Sequence, residues 1–159
     1  MGTAPATLDH AGIARRIPHQ GRMCLLERLV SWSPQQIHCM AVSHTQADNP
    51  LRSAGGLLSP CAIEYAAQAM ALHGALLAPA EAGPEPGYLA SVRSVRLAVP
   101  RLDHIAGALQ VRAERLAGEA KQLLYRFEVS DERGVLLVDG RATVVLDTPL
   151  APTGRHPAS

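Results

Sequence analysis

The run LLSPCAIEYAAQAMALHGALLA, from Leu57 to Ala78, decides how this chain folds. It is apolar on every side over about five turns, which predicts a helix enclosed by a domain rather than laid on its surface. Ser59 is placed to cap it, with Pro60 at its first position, where a missing N–H costs nothing. Pro79 ends it. Within that run stands a single acidic residue, Glu64. A carboxylate in such surroundings is costly unless paired or hydrogen-bonded, so its pKa is expected to rise, which would make it a proton carrier. Gln68 lies one turn on, on the same face.

The flanking segments read as strands. Leu25–Trp32 and Gln36–Val42 are short runs split by the turn former pair Ser33-Pro34. A loop over residues 43–58, with Gly55-Gly56 free to adopt positive φ, leads to the helix. Beyond the flexible stretch AEAGPEPG come Tyr88–Val99, Ile105–Leu116, Gln122–Ser130 and Val135–Leu146. Turns are expected at Ala117–Ala120 and Asp131–Gly134. Consecutive hairpins predict an antiparallel sheet, and an all-round apolar helix predicts that the sheet wraps it: an α+β fold. One domain accounts for residues 1–159, with 1–16 and 148–159 read as loosely ordered tails.

Composition excludes several function classes. A net charge of +1 and no long basic run give no footprint for nucleic acid. Aromatic residues are 3% of the chain, too few for base-stacking platforms. Cys24, Cys39 and Cys61 lack CxxC spacing, and no pair of histidines has ligand spacing, so neither a disulfide framework nor a metal site is expected. The first residues show no apolar signal segment, and Glu64, Gln68 and His73 interrupt the only long apolar run. The expectation is a cytoplasmic protein, not a membrane one.

Two segments carry a family resemblance. Ile17-Pro18-His19-Gln20-Gly21-Arg22-Met23-Cys24-Leu25-Leu26-Glu27-Arg28-Leu29 resembles the segment that opens the 3-hydroxyacyl-acyl carrier protein dehydratases, and Ile63-Glu64-Tyr65-Ala66-Ala67-Gln68-Ala69 resembles their glutamate-bearing helix. The loop and helix, NPLRSAGGLLSPCAIEYAAQAMALHGALL, look closest to the dehydratase-like proteins of aryl polyene pathways. The resemblance implies a hotdog fold built as a homodimer, or as a heterodimer with a related hotdog protein. It implies an acyl carrier protein as partner and water elimination without a cofactor. Glu64 falls on the family's helix carboxylate.

The family's loop histidine has no match. Asn49 or a neighbour stands in its place, in Ala47-Asp48-Asn49-Pro50-Leu51-Arg52. Three ways remain to complete the chemistry: His44 swings in, Asn49 serves as an orienting hydrogen-bonder while Glu64 acts alone or through water, or a partner chain supplies the histidine, the last being favoured. Candidate substrate-binding positions are Gln68 and, at the approach to the helix, Gly56, Leu57 and Ser59. Arg93, Arg96 and Arg101 are candidate contacts for an acidic carrier protein. His19 reads as a structural hydrogen-bonder at a corner, and His38 and His73 as satisfied groups. Met70 is placed in the core or along an acyl tunnel. In the same fold, a thioesterase or a non-catalytic subunit would be the rival functions.

Overall fold

The computed structural model describes residues 3–78, 87–119 and 121–146. Two helices, α1 (His10–Ala14) and α2 (Ala62–Leu77), accompany six strands: β1 (Arg28–Ser33), β2 (Gln36–Ala41), β3 (Gly87–Leu97), β4 (Leu109–Glu119), β5 (Gln122–Ser130) and β6 (Leu136–Leu146). They form one antiparallel sheet in the order β1-β2-β4-β5-β6-β3. The sheet carries α2 on one face, as the apolar run and the hairpins predict.

Inward-facing residues alternate along the central strands. Val111 and Ala113 of β4, and Tyr125, Phe127 and Val129 of β5, meet Tyr65, Ala69 and Leu72 of α2 in the buried core. Outward positions carry the charge: Glu114 opposes Arg126 across β4 and β5, and their side chains pair at 2.7 Å. His73 is fully satisfied inside the core, with Nδ1 2.7 Å from the Tyr125 hydroxyl and Nε2 donating to Ser33 O at 2.7 Å. His38 pairs with Gln110 at 2.6 Å. Both read correctly as satisfied groups.

Several expectations are corrected. Within the stretch 1–16 read as loose, residues 5–16 are held in place. Asp9 caps α1 by accepting from Gly12 N at 2.8 Å, Ile13 is fully buried, and Trp32 donates to Pro5 O at 2.8 Å. Ser59 does not cap the main helix. Ser59–Cys61 form a 3₁₀ turn, and α2 starts after Cys61 with no side-chain cap. β4 begins at Leu109 because Ile105 N turns back to Leu102 O and Gly107 takes φ +77°. It then runs through the expected turn at Ala117, since Glu119 pairs with Gln122. The Asp131–Gly134 turn is as expected, Gly134 at φ +88° and the Asp131 side chain accepting from Arg133 N and Val135 N. The expected tail 148–159 and most of the 80–87 stretch lie outside the described residues.

The two sheet edges differ. β1 is covered: Leu8 exchanges backbone hydrogen bonds with Leu29. β3 pairs only with β6, and among the described residues nothing covers its other side. It runs for eleven residues, largely exposed on both faces, with Tyr88, Leu89 and Leu97 in solvent. A long bare edge bearing apolar side chains is a template for another strand.

The loop before α2 is strapped to the segment after β3. Ser53 and Gly56 exchange backbone hydrogen bonds in a tight turn, Gly56 at φ +97° with no room for a side chain against Arg101 and Asp103. The buried Asp103 carboxylate accepts from Leu57 N at 3.0 Å and pairs with Arg101 at 2.5 Å and Arg52 at 3.6 Å. The Arg101 guanidinium, helped by the Leu57 amide, holds this carboxyl far below the usual aspartate value. A depressed pKa stabilises the fold above the unfolded value, about 3.9, and that contribution fades as pH falls below it. The melting temperature should therefore drop steeply below about pH 4. An Asp103→Asn variant should melt lower at neutral pH and show a shallower acid limb in the same thermal scans.

Candidate active site

Gln68 organises the site. Its side chain is completely buried on α2, and both its oxygen and its nitrogen are hydrogen-bonded. Oε1 accepts from Leu25 N at 2.9 Å, while Nε2 donates to Met23 O at 2.6 Å and to Glu64 Oε1 at 3.3 Å. The segment that enters β1 is thereby fastened to the helix, and its preceding corner, Pro18-His19, is brought over Glu64. His19 Nε2 lies 3.1 Å from Glu64 Oε1.

Both side chains are partly exposed, Glu64 at 33% and His19 at 25%. Both contacts to the carboxylate use Oε1, and Oε2 accepts no hydrogen bond among the described residues. The hydrogen bond from His19 holds the Glu64 carboxyl below its ordinary pKa. Burial opposes this shift and Gln68 reinforces it. The expected upward shift is thus corrected: desolvation is outweighed by two donors aimed at the charged form. Glu64 is a standing carboxylate.

This pair sits in the wall of a cavity of about 610 Å³. Along α2 the lining is Ala67, Met70, Ala71, Gly74 and Ala75; Leu89 of β3 and Val144 of β6 are among the residues that close the other side. Met70 does line the cavity. The helix is apolar all round because one face packs on the sheet and another lines this space.

The other sequence candidates fall elsewhere. His44 is 1% exposed and donates through Nε2 to Ile105 O at 3.0 Å; burial lowers its pKa, and it does not line the cavity. Asn49 donates to Ser43 O at 2.9 Å and to the Tyr65 hydroxyl at 3.1 Å, and accepts from Leu51 N at 2.9 Å. Asn49 ties the loop to the neighbouring helix face, not to Glu64. Gln68 holds backbone instead of lining the cavity. Gly56, Leu57 and Ser59 do not reach the cavity either, and their amides are taken by Ser53 O, Asp103 and Pro100 O. Arg101 is committed to Asp103. Arg96 is exposed and pairs with Asp139 at 3.0 Å, and Arg93 stands opposite Arg141 across β3 and β6. Among the described residues no three His, Cys, Asp or Glu side chains gather as a metal site.

His19 is the residue that sequence reasoning undervalued. Its signal was its place in the Pro18-His19 segment, the first of the two matching motifs, ahead of a strand that the Gln68 face of the helix must meet.

A six-stranded antiparallel sheet on one long helix, with a helix carboxylate facing an apolar cavity, defines a hotdog-fold protein of the dehydratase and thioesterase kind. Residues 11–151 match the ApeP-like family, described as ApeP dehydratase, and the chain belongs to that family. Dehydration, a lyase activity, is the kind of reaction this membership supports. The chain is similar to the dehydratase heterocomplex ApeI:P of Xenorhabdus doucetiae, with 27% identity over 86% of this chain and 91% of that one, at a TM-score of 0.77. A thioesterase of Haemophilus influenzae shares the fold at 14% identity, 80% and 82% coverage, and a TM-score of 0.57. A Staphylococcus aureus thioesterase variant does so at 13%, 76% and 92%, and 0.58. No curated protein matches this chain. No helix among the described residues is long and apolar enough to cross a membrane.

If His19 holds Glu64 ionised, its removal should raise the glutamate's pKa. Carbon-detected NMR titration of the Glu64 carboxyl should show its midpoint below about 4.3 in the parent and shifted upward in His19→Ala. An Asn49→Ala variant should leave that titration where it is.

Proposed function

We propose that this chain eliminates water from a 3-hydroxyacyl thioester carried by an acyl carrier protein, giving the trans-2-enoyl thioester, as one subunit of a mixed hotdog dimer in the cytoplasm. The observation that carries this reading is the standing Glu64 carboxylate, held by His19 and Gln68, in the wall of a mainly apolar cavity of about 610 Å³.

Elimination needs a base at C2 and an acid at the departing C3 hydroxyl. A carboxylate whose pKa is depressed is suited to the first task. Oε2 of Glu64 accepts the C2 proton, which the thioester carbonyl has made acidic. The electron pair forms the C2–C3 double bond, and the C3 hydroxyl leaves as water once an acid protonates it. His19 acts as a positioning residue in this scheme, keeping Glu64 charged and directed. No cofactor is required, because the thioester itself stabilises the developing enolate.

Two parts of the machinery call for a second chain. The leaving hydroxyl needs an acid, and in this reading it is a histidine on the partner's loop. The thioester oxygen needs hydrogen-bond donors, yet the amides of Gly56, Leu57, Ser59 and Cys61 are all engaged internally. The bare β3 edge supports a partner strand there. The similar ApeI:P assembly is itself a heterocomplex, which supports a related but non-identical partner. Arg93 and Arg96, on exposed β3, are the carrier-protein contacts in this scheme.

Ionised Glu64 also suits activation of water against a thioester carbonyl, so hydrolysis is the second reading. Enoyl product is followed by ultraviolet absorbance and free acid by chromatography, for the chain alone and for the chain mixed with a hotdog subunit that carries an intact Gly-His loop. Enoyl formation should appear only in the mixture and fall by about a hundredfold or more with Glu64→Gln. Acid release by the chain alone would establish the hydrolase instead. Mixture activity indifferent to Glu64→Gln would overturn the role of this residue.

A further inference from the structure

The half-exposed stripe of α2 that lines the cavity comprises Glu64, Ala67, Ala71, Gly74, Ala75 and Leu77, with Ala78 just past the helix end. Its members recur at helical spacing, so they form one continuous wall parallel to the helix axis. The wall starts at the carboxylate and follows α2 to its end, and Arg115, Gly118 and Glu119 of β4 also line the cavity. The core sets Arg115 near the later turns of α2: it pairs in register with Tyr125, whose hydroxyl meets His73 of α2 at 2.7 Å.

Gly74 differs from the rest of the wall. A methyl group placed on it would meet no heavy atom of the described residues within 4 Å, so among them its side of the cavity is open space. Glycine inside a helix is a poor choice on propensity alone, and no crossing backbone or φ above zero at Gly74 demands it. What glycine does here is leave the channel clear.

We propose that Gly74 sets the length of acyl chain this site accepts. The inference rests on the assignment of thioester chemistry to Glu64. Ten residues separate Glu64 from Gly74, about 15 Å of helix, and Ala78 lies about 21 Å along. An extended chain advances about 1.2 Å per bond, by analogy with extended polypeptide. The thioester end at Glu64 therefore places the twelfth or so carbon beside Gly74. The substrate class is a long, extended chain rather than a short or branched one. Chains too short to reach Gly74 are indifferent to what stands there.

The test compares the parent with Gly74→Leu and Gly74→Ala, each in the complex that turns over. Binding is measured by calorimetry with unreactive thioether analogues of 3-hydroxyacyl-pantetheine, of about eight and about sixteen carbons. Gly74→Leu should weaken the long analogue by tenfold or more and leave the short one unchanged, and Gly74→Ala, which fits the open space, should weaken the long one by less. Equal effects on both lengths in both variants, or none on either, would overturn the proposal. Binding is read apart from turnover. A length-selective loss without any dehydration would keep the ruler and sink the chemistry; dehydration with an unaltered length profile in Gly74→Leu would do the reverse.

Discussion

The buried side-chain amide of Gln68 is the constraint on which the site depends. A polar group removed entirely from water must find partners inside the protein or cost several kcal/mol. Gln68 finds them in Leu25 N, Met23 O and Glu64 Oε1. These bonds fix the rotation of α2 relative to the entry of β1, and they carry the Pro18-His19 corner to the helix. The position of His19 over Glu64 is a consequence.

From that arrangement the electrostatics follow. A carboxylate on an apolar helix would ordinarily be pushed toward neutrality, and burial does act that way on Glu64. Two hydrogen-bond donors on the same oxygen outweigh it. The result is a half-buried anion in the wall of the cavity, with one oxygen held and the other free of hydrogen bonds among the described residues. It is a geometry suited to removing a proton from a bound thioester, but it holds only part of what elimination requires. The loop that resembles a catalytic loop is spent on structure: Asn49 binds Ser43 and Tyr65, His44 binds Ile105, and the Leu57 amide binds Asp103.

The fold was legible because its signals are local. Turn formers at Ser33-Pro34 and Asp131–Gly134, alternation along the late strands and the apolar run from Leu57 to Ala78 each depend on neighbours in sequence. Errors arose where distant segments intervened. Residues 1–16 read as loose, yet Trp32 binds Pro5 and Leu29 binds Leu8. The first turn of the helix run became 3₁₀, where Ser59 N is engaged by Pro100 O.

The sequence by itself determined an antiparallel sheet around one long apolar helix, a lone carboxylate on that helix and membership in a dehydratase family. It determined these because periodicity, turn chemistry and motif spacing are properties of the chain taken in order. Only the tertiary structure decided the charge state and company of Glu64. Residues 19 and 64 meet through a helix rotation set by Gln68, and whether donors outweigh desolvation depends on distances of a few ångström that no local pattern records. The same holds for the second apolar face of α2. Sequence shows that it is apolar; only the packing of α2 against the strands shows that it borders a cavity.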